Sequence, residues 1–471
     1  MLKIPKEFGA IWLFGLSVLI GKGLSLVSVP IVARHLPPSE YGRLELISSF
    51  VEVSGIVMSF GLADSLFRFA SMTRDAARRR VAAGLAGSAI LMAALAGVAL
   101  QVLAWTLPSV FGAPELSLPL SLGLLTASLA GLVELPLAWL RLNAQPGRYL
   151  AFTAARSIAQ TAAVTVALTL GYGVIGMLAC NAAIEACVAA TLVGSQARRT
   201  GVTLDRETLR RAVTYGLPLV GGSISMFALG SCDRWFLAAT VAPDQLGLYG
   251  LAVKLSLLVP LSIQPFGLWW YARRINTLSL PDGREVSARM TAVGMTLLGA
   301  GVAVACGGAP IVVDALFPPV YRGALVFLPW LAVAAGLNEL CSLVNVGVYA
   351  ARTSFGVFAV NGLGGAVALV GYVWLTPSHG VAGAIAATIA GQMARLALFL
   401  VIGQRVARIP YRWGCFAMIV TIDAALAGVS ARAATPLEHG LPLAAALLAL
   451  ALVASRLALE QGARPAREAL A

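Results

Sequence analysis

Ionisable side chains set inside apolar stretches are the residues of this chain best suited to chemistry. The cations are Lys22, Arg68, Arg156, Arg234, Lys254 and Arg395; the acids are Glu52, Asp64, Glu134, Glu185, Asp233, Glu339 and Asp423. Each lies within a stretch of roughly 20 mainly apolar residues, the length that crosses a bilayer. A charge at that depth is costly and by default faces a cavity or a partner. Lysine in such a place binds phosphate as a compact point charge, without demanding two-point geometry. A carboxylate there can take up an ion in one state of the protein and release it in another. Neither role makes or breaks a covalent bond.

Several of these charges have structural explanations. Asp64 and Arg68 are four apart and can pair along one helix face; Arg68 lies near the inner end of its span and can also snorkel. Glu134 and Arg141, seven apart, share a face and form either an inner-mouth pair or a substrate contact. Arg395 lies in the inner half of its span, within reach of the interface. Lys22 differs: it lies near the middle of the first span, in IGKG (20–23), too deep to snorkel easily. Lys254 and the adjacent Asp233–Arg234 lie in the outer halves of their spans. The expected substrate-binding cations are therefore Lys22, Lys254, Arg234 and Arg156, and the ion-coupling candidates are Glu52, Asp233 and Glu134. The alternative for the lysines is neutralisation of a buried acid, with Glu52 or Asp233 as partner.

The surrounding sequence says what must position these groups. The chain has 471 residues, of which 59% are hydrophobic and 12% charged, with mean hydropathy +0.85. No soluble core of this length hides that much apolar surface. Windows of span length fall at 9–33, 45–70, 81–107, 117–140, 149–171, 174–197, 212–240, 246–272, 286–312, 323–350, 354–376, 381–404, 412–433 and 438–459, which predicts an all-α polytopic membrane protein of about 14 transmembrane helices. With the N-terminus inside, the inner segments collect about 24 Lys and Arg, among them Lys3, Lys6, Arg74, Arg78, Arg198, Arg199, Arg273, Arg274, Arg405, Arg464 and Arg467, against four outside, Arg34, Arg43, Arg322 and Arg432. That bias predicts both termini in the cytoplasm. It also accounts for most of the +13 net charge without nucleic acid. The first apolar stretch contains Lys22 and is longer than a signal core, so it reads as a retained span.

Other chemistry finds no support. No connection is long enough to be a domain, and no phosphate loop, Walker lysine or nucleophile elbow is present. Cys180, Cys187, Cys232, Cys306, Cys341 and Cys415 fall within spans without metal or redox spacing. His35, His379 and His439 lie far apart near outer span ends. No metal, cofactor or catalytic residue is expected, and the chain is read as a non-enzyme. Tyr41, Tyr249, Trp269, Trp270, Tyr271 and Trp330 lie near span ends, as in aromatic belts. Pro30, Pro136, Pro218, Pro260 and Pro265 fall inside spans, where proline breaks the helix ladder and can bend it.

The chain also repeats itself. LPPSEYG (36–42) is answered by VAPDQLG (241–247), and GYGVIG (171–176) by SHGVAG (378–383), about 205 residues on. Six spans separate equivalent points, so both halves enter the membrane in the same sense. They should be two six-helix lobes related by a pseudo-twofold axis along the membrane normal, with a cavity between them. This gives an N-lobe over 1–200, a C-lobe over 201–405, and two additional helices with a cytoplasmic tail over 406–471.

The run RHLPPSEYGRLELISSFVEVSGIVMSFGLADSLFRF (34–69) resembles the polysaccharide transporter family, the Wzx-type flippases of lipid-linked oligosaccharides. Arg34, Leu36, Tyr41 and Gly42 match its element after the first span, and Gly61, Leu62, Arg68 and Phe69 match its later one. LFPPVYRGALVFLPWLA (316–332) is similar to the segment leading into the tenth span, and the resemblance covers most of residues 10–405. The family belongs with drug extruders and lipid II flippases to one superfamily of multidrug, oligosaccharidyl-lipid and polysaccharide exporters. The resemblance implies a monomeric protein of the bacterial inner membrane that carries an undecaprenyl-diphosphate-linked oligosaccharide outward by alternating access. It implies membrane lipids, a polysaccharide polymerase and a chain-length regulator as partners. It also implies that spans 1, 2, 7 and 8 line the cavity, where Lys22 and Lys254 fit; Glu52 replaces the base that lipid II flippases carry on span 2. The alternatives are an ion-coupled small-molecule exporter and a polytopic polysaccharide polymerase. Such exporters tend to have twelve spans and an acid in the first, whereas the first span here carries Lys22. A polymerase would show a long outer loop.

Overall fold

A computed structural model describes residues 6–70, 75–110, 113–271, 273–350, 355–430 and 440–452. Lys3, Arg74, Arg432, His439, Arg464 and Arg467 lie outside these residues, as does most of the expected tail. Every regular element among the described residues is helical. α1 (Lys6–His35) precedes α2 (Pro38–Ser59) and α3 (Leu62–Ala70), two halves of one span. Next come α4 (Asp75–Val110), α5 (Ser117–Ser128) with α6 (Ala130–Leu142), α7 (Pro146–Thr169) and α8 (Gly173–Thr200). The second set begins with α9 (Arg206–Gly230) and α10 (Asp233–Thr240), then α11 (Pro243–Ser256) and α12 (Leu258–Tyr271), and the short α13 (Arg274–Leu278). α14 (Gly283–Ala303) runs through a π-helical turn into α15 (Ala309–Leu316). α16 (Leu328–Val344), α17 (Val346–Tyr349), α18 (Phe355–Ala407) and α19 (Trp413–Ser430) follow, and α20 (Gly440–Leu452) is last.

Nine of these segments are long and apolar enough to cross a membrane, or ten if Pro319–Val326 and Leu328–Val344, bent by 52°, make one span. The protein is thus a multi-pass membrane protein. α7 falls outside that set because it carries Arg148, Arg156, Gln160 and a row of threonines. Even so, each of the fourteen expected windows coincides with helix among the described residues. The two most closely spaced pairs are separated by glycine turns at Gly171–Gly173 and at Gly380.

The sequence repeat is a repeat of backbone conformation. LPPSEYG and VAPDQLG each start a helix with proline in its first turn. The preceding residues are extended, Pro37 at φ −68° and ψ 160° and Ala242 at φ −63° and ψ 148°. Proline suits that place because its missing N–H would be unsatisfied anyway. Gly173 and Gly380, at matching places in the second motif, both have φ +55°, a value that a side chain makes costly. Non-proline breaks also occur: α2 ends at Phe60 (φ 45°) and Gly61 (φ 61°), where Gly216 of α9 packs so closely that an added Cβ would lie 2.2 Å from the Phe60 carbonyl oxygen. The α11–α12 break at Leu257 does precede Pro260, which cannot donate to Ser256.

Two compact units emerge, Met1–Phe227 and Ala228–Ala471. The first has a core around Leu62, Leu66, Leu85, Leu135 and Trp139. Its connection 201–205 is docked rather than loose. Thr203 N–H donates to the Ala83 carbonyl (3.1 Å), and the unbroken buried stripe Ala82–Ala89 of α4 receives it. The second unit has a core around Val259, Ile263, Met295, Leu343 and Phe399 that also takes in Ile419 of α19 and Leu450 of α20. The two helices outside the repeat therefore pack on α14 and on the π-helical turn after it, with Gly299 facing Ile419, Asp423 and Leu450, and Gly307 facing Leu443.

The two halves of α18 meet through small residues, as membrane helices do when apolar burial alone cannot drive them together. A Cβ on Gly391 would sit 2.8 Å from Ala368 Cβ and from the Gly364 carbonyl oxygen, and one on Gly371 2.6 Å from Ala387 Cβ. Gly391→Leu should separate these halves at a cost of about 1–3 kcal/mol. A several-fold fall in detergent-extractable, monodisperse protein is the expected readout; Gly414→Leu, at an open position, should leave it unchanged.

Candidate functional site

In the first unit, Lys22, Glu52, Asp64, Glu134 and Arg141 are all exposed at the surface of the protein, although each lies in a membrane-spanning stretch. α1 crosses α7 where Gly21 faces Ser157; an added Cβ would lie 3.5 Å from its hydroxyl. Beside that crossing, Arg156 pairs with Glu185 of α8 at 2.8 Å, and Gln160 Nε2 donates to the same carboxylate at 3.3 Å. Glu185 is buried, whereas Arg156 keeps about a third of its side chain exposed at 34%. Glu134, on α6, feels the charges of Arg141, Asp64 and Arg156.

The expected helix-face pairs are not formed. Among the described residues neither Asp64–Arg68 nor Glu134–Arg141 makes an ion pair. Arg68 instead lies over the Tyr215 ring (5.1 Å), and Arg141 over Phe67 (5.3 Å) and Tyr149 (5.8 Å). An aromatic face holds a guanidinium without requiring a second buried charge. Asp64 and Glu134 are left at the surface of the unit.

The second unit treats its charges differently. Asp233 and Arg234 are 3% and 5% exposed. Arg234 donates to Asp233 Oδ1 at 3.0 Å and to the Gly230 carbonyl at 3.1 Å, and the Tyr249 hydroxyl donates to Asp233 Oδ2. Tyr249 is fully buried, and Tyr41 and Trp270 are buried as well. For these three the belt expectation is wrong, since their rings pack inside the protein. Lys254 is half-buried on α11.

Arg395 does not run outward to an interface. It is 4% exposed and stays inside. Its Nε donates to Asn361 Oδ1 (2.7 Å), and one terminal nitrogen donates to Asn338 Oδ1 (2.7 Å) and Gln392 Oε1 (3.0 Å), tying α16 to both halves of α18. Asn338 in turn donates to Glu339 (3.3 Å). Sequence reasoning missed these amides. The available signal was three carboxamides in successive apolar spans, which bind helices together by cross-helix hydrogen bonds. Arg395→Met would leave three amide oxygens without their donor, a loss of about 2 kcal/mol. The expected result is a lower melting temperature in detergent, with Arg395→Lys in between because one ammonium cannot span all three oxygens. An unchanged melting temperature would show that the network does not brace the unit.

Arg274, expected in an inner loop, is buried. It donates to the Ser342 carbonyl (2.8 Å) and Asn345 Oδ1 (2.7 Å) and stacks on Tyr271 and Tyr349. A guanidinium can be satisfied this way, by carbonyls and rings, where an ammonium would not be.

The two units therefore divide the work. The second buries Asp233, Arg234, Arg274 and Arg395 among hydrogen-bonding or aromatic partners, while Asp423 Oδ1 and the Nε atoms of Arg274 and Arg289 stay buried without a hydrogen-bond partner. The first leaves Lys22, Glu52, Asp64, Glu134, Arg141 and part of Arg156 open within the span zone, where a polar guest can exchange with them.

A polytopic helical bundle of this kind is also the fold of solved lipid II flippase and multidrug transporter structures. The structure of the lipid II flippase MurJ in an inward closed conformation superimposes with TM-score 0.70 at 11% identity, over 95% of this chain and 99% of that one. Inward- and outward-facing MATE family multidrug transporters of the MOP superfamily give 0.62 and 0.57 at 16% identity, each over 85% of this chain and over 98% and 96% of theirs. No curated protein is significantly similar in sequence. The chain belongs to the polysaccharide biosynthesis protein family, whose sequence model matches residues 9–269. That span takes in α1 to α11 and nearly all of α12, including the whole open charged group.

Proposed function

We propose that this protein is a flippase of the bacterial inner membrane that carries a polyprenyl-diphosphate-linked oligosaccharide outward for cell-surface polysaccharide, both termini being cytoplasmic. One observation supports this most: a chain of the polysaccharide biosynthesis family holds exposed cations and acids on α1, α2, α3 and α6, inside spans where an unpartnered charge is costly. A diphosphate and a glycan need such a polar, wet surface, and the polyprenyl tail can stay in lipid. Lys22 and Lys254 are the cations assigned to the diphosphate, with Arg156 supporting; Arg234, expected beside them, is closed in its pair with Asp233. Glu52, Glu134 and Asp233 are the candidates for coupling to an ion gradient, and of these Glu52 and Glu134 are exposed. Moving the substrate, rather than transforming it, is the assigned task.

The test is deletion of the gene in its host. Lipid-linked oligosaccharide should accumulate on the cytoplasmic side and surface polysaccharide should disappear, both reversed by the intact gene. Normal surface polysaccharide together with new sensitivity to small toxic cations would favour the drug-exporter alternative instead.

A further inference from the structure

A second basic site lies one turn along α3 from Asp64, at the end of the first unit where α3 finishes and α9 begins. Arg68, Phe69, Glu207, Arg210, Arg211, Thr214 and Tyr215 line a cavity of about 370 Å³. Three arginines against one glutamate give the lining an excess of positive charge. Glu207 is already taken by Arg211, at 2.8 Å. Arg68 is held over the Tyr215 ring, and Phe69 meets the same ring edge-on at 5.7 Å. Among the described residues neither Arg68 nor Arg210 has a carboxylate partner, so both guanidinium groups can receive an anion.

The frame around this cavity is fixed. Asp205 caps α9 by accepting the N–H of Thr208 at 2.9 Å and of Glu207 at 3.3 Å, together with the Thr208 hydroxyl. These hydrogen bonds hold its carboxyl below the usual carboxylate range, so the cap persists at neutral pH and loosens only as pH falls through that lowered value. Thr208 packs on Gly84 of α4, where an added Cβ would lie 3.0 Å away. The arginines project from an anchored helix end, beside apolar and aromatic surface.

We propose that this cavity binds the phosphate or diphosphate head of a membrane lipid. Arginine forks match phosphate oxygens two at a time, and basic pockets at the ends of membrane helices suit lipid headgroups. Phe69 and Tyr215 offer an apolar wall to the first carbons of the lipid chain. The identity of that lipid as the transported polyprenyl diphosphate rests on the function proposed above; the phosphate chemistry does not.

The test uses the full chain in nanodiscs of phosphatidylcholine, with bound lipid counted by native mass spectrometry. The probes are a short-chain polyprenyl diphosphate without sugar, phosphatidylglycerol, and inorganic pyrophosphate. Arg68→Gln and Arg210→Gln should each weaken lipid binding about tenfold, and the pair more, since each removes about one charged hydrogen bond. Raising the salt concentration should weaken the intact protein in the same direction. Arg→Lys variants guard against misfolding and should retain part of the affinity. Tight binding of the diphosphate lipid over phosphatidylglycerol identifies a substrate-docking site; equal binding identifies a general headgroup site; both support the proposal. Unchanged lipid binding by the folded double Gln variant, or binding of inorganic pyrophosphate alone, would overturn it. If pocket binding fails while the gene still restores surface polysaccharide, only the pocket is wrong. If pocket binding holds while the gene is dispensable for surface polysaccharide, only the flippase reading is wrong.

Discussion

Lys22→Ala should lower export of the lipid-linked sugar at least tenfold while leaving the amount of protein in the membrane near normal. Lys22 is exposed on α1, so its removal leaves no cavity in a packed core. Nor does it strand a buried acid: Asp233 is satisfied by Arg234 and Tyr249, and Glu185 by Arg156 and Gln160. On the proposed function, what is lost is one cation for the diphosphate. A hydrogen bond between charged groups contributes about 1.5–3 kcal/mol, which is roughly tenfold or more in binding. Lys22→Arg should keep part of the activity, because the charge survives while the geometry changes. The measurement is export normalised to protein level. A fall in abundance that matches the fall in export would assign Lys22 to structure instead.

The second large effect concerns the buried pair on α10. Asp233→Ala removes the carboxylate that answers Arg234 and leaves an uncompensated charge at a 5% exposed site. Breaking such a pair costs about 3–5 kcal/mol, whereas replacing both partners by apolar groups is often neutral. Asp233→Ala should therefore be nearly absent from the membrane, and Asp233→Ala with Arg234→Met should return much of the protein. Abundance and melting temperature of the four combinations decide this. If Asp233 serves ion coupling instead, the single variant will be abundant and inactive, and the double variant will be inactive too.

Much of the fold could be read because it is written locally. Proline after an extended residue starts α2 and α11, and glycine at φ +55° starts α8 and bends α18. These signals need no knowledge of what lies across the bundle. The count of spans and the repeat follow from them and from apolar run length. The fate of each charge could not be read in the same way. Arg395 depends on Asn338 and Asn361, which are 57 and 34 residues away. Asp233 depends on Tyr249, whose place near a span end suggested a belt residue. Arg68 had Asp64 one turn away on its own helix, yet it chose Tyr215 from α9. Helical spacing shows which partners are within reach, while packing between helices decides which is used. The docking of 201–205 on α4 was hidden for the same reason: Ala and Gly in a row read as apolar filler until a backbone is seen lying on them.

Reconstitution tests the transport assignment most directly. Purified protein is placed in liposomes carrying a short-chain polyprenyl-diphosphate oligosaccharide in both leaflets, and an enzyme that cannot cross the bilayer removes the outer sugar. With the protein present, the inner pool should become accessible at least tenfold faster than in protein-free liposomes, and Lys22→Ala should bring the rate back toward that background. An inner pool that stays protected in the presence of folded wild-type protein would contradict flipping.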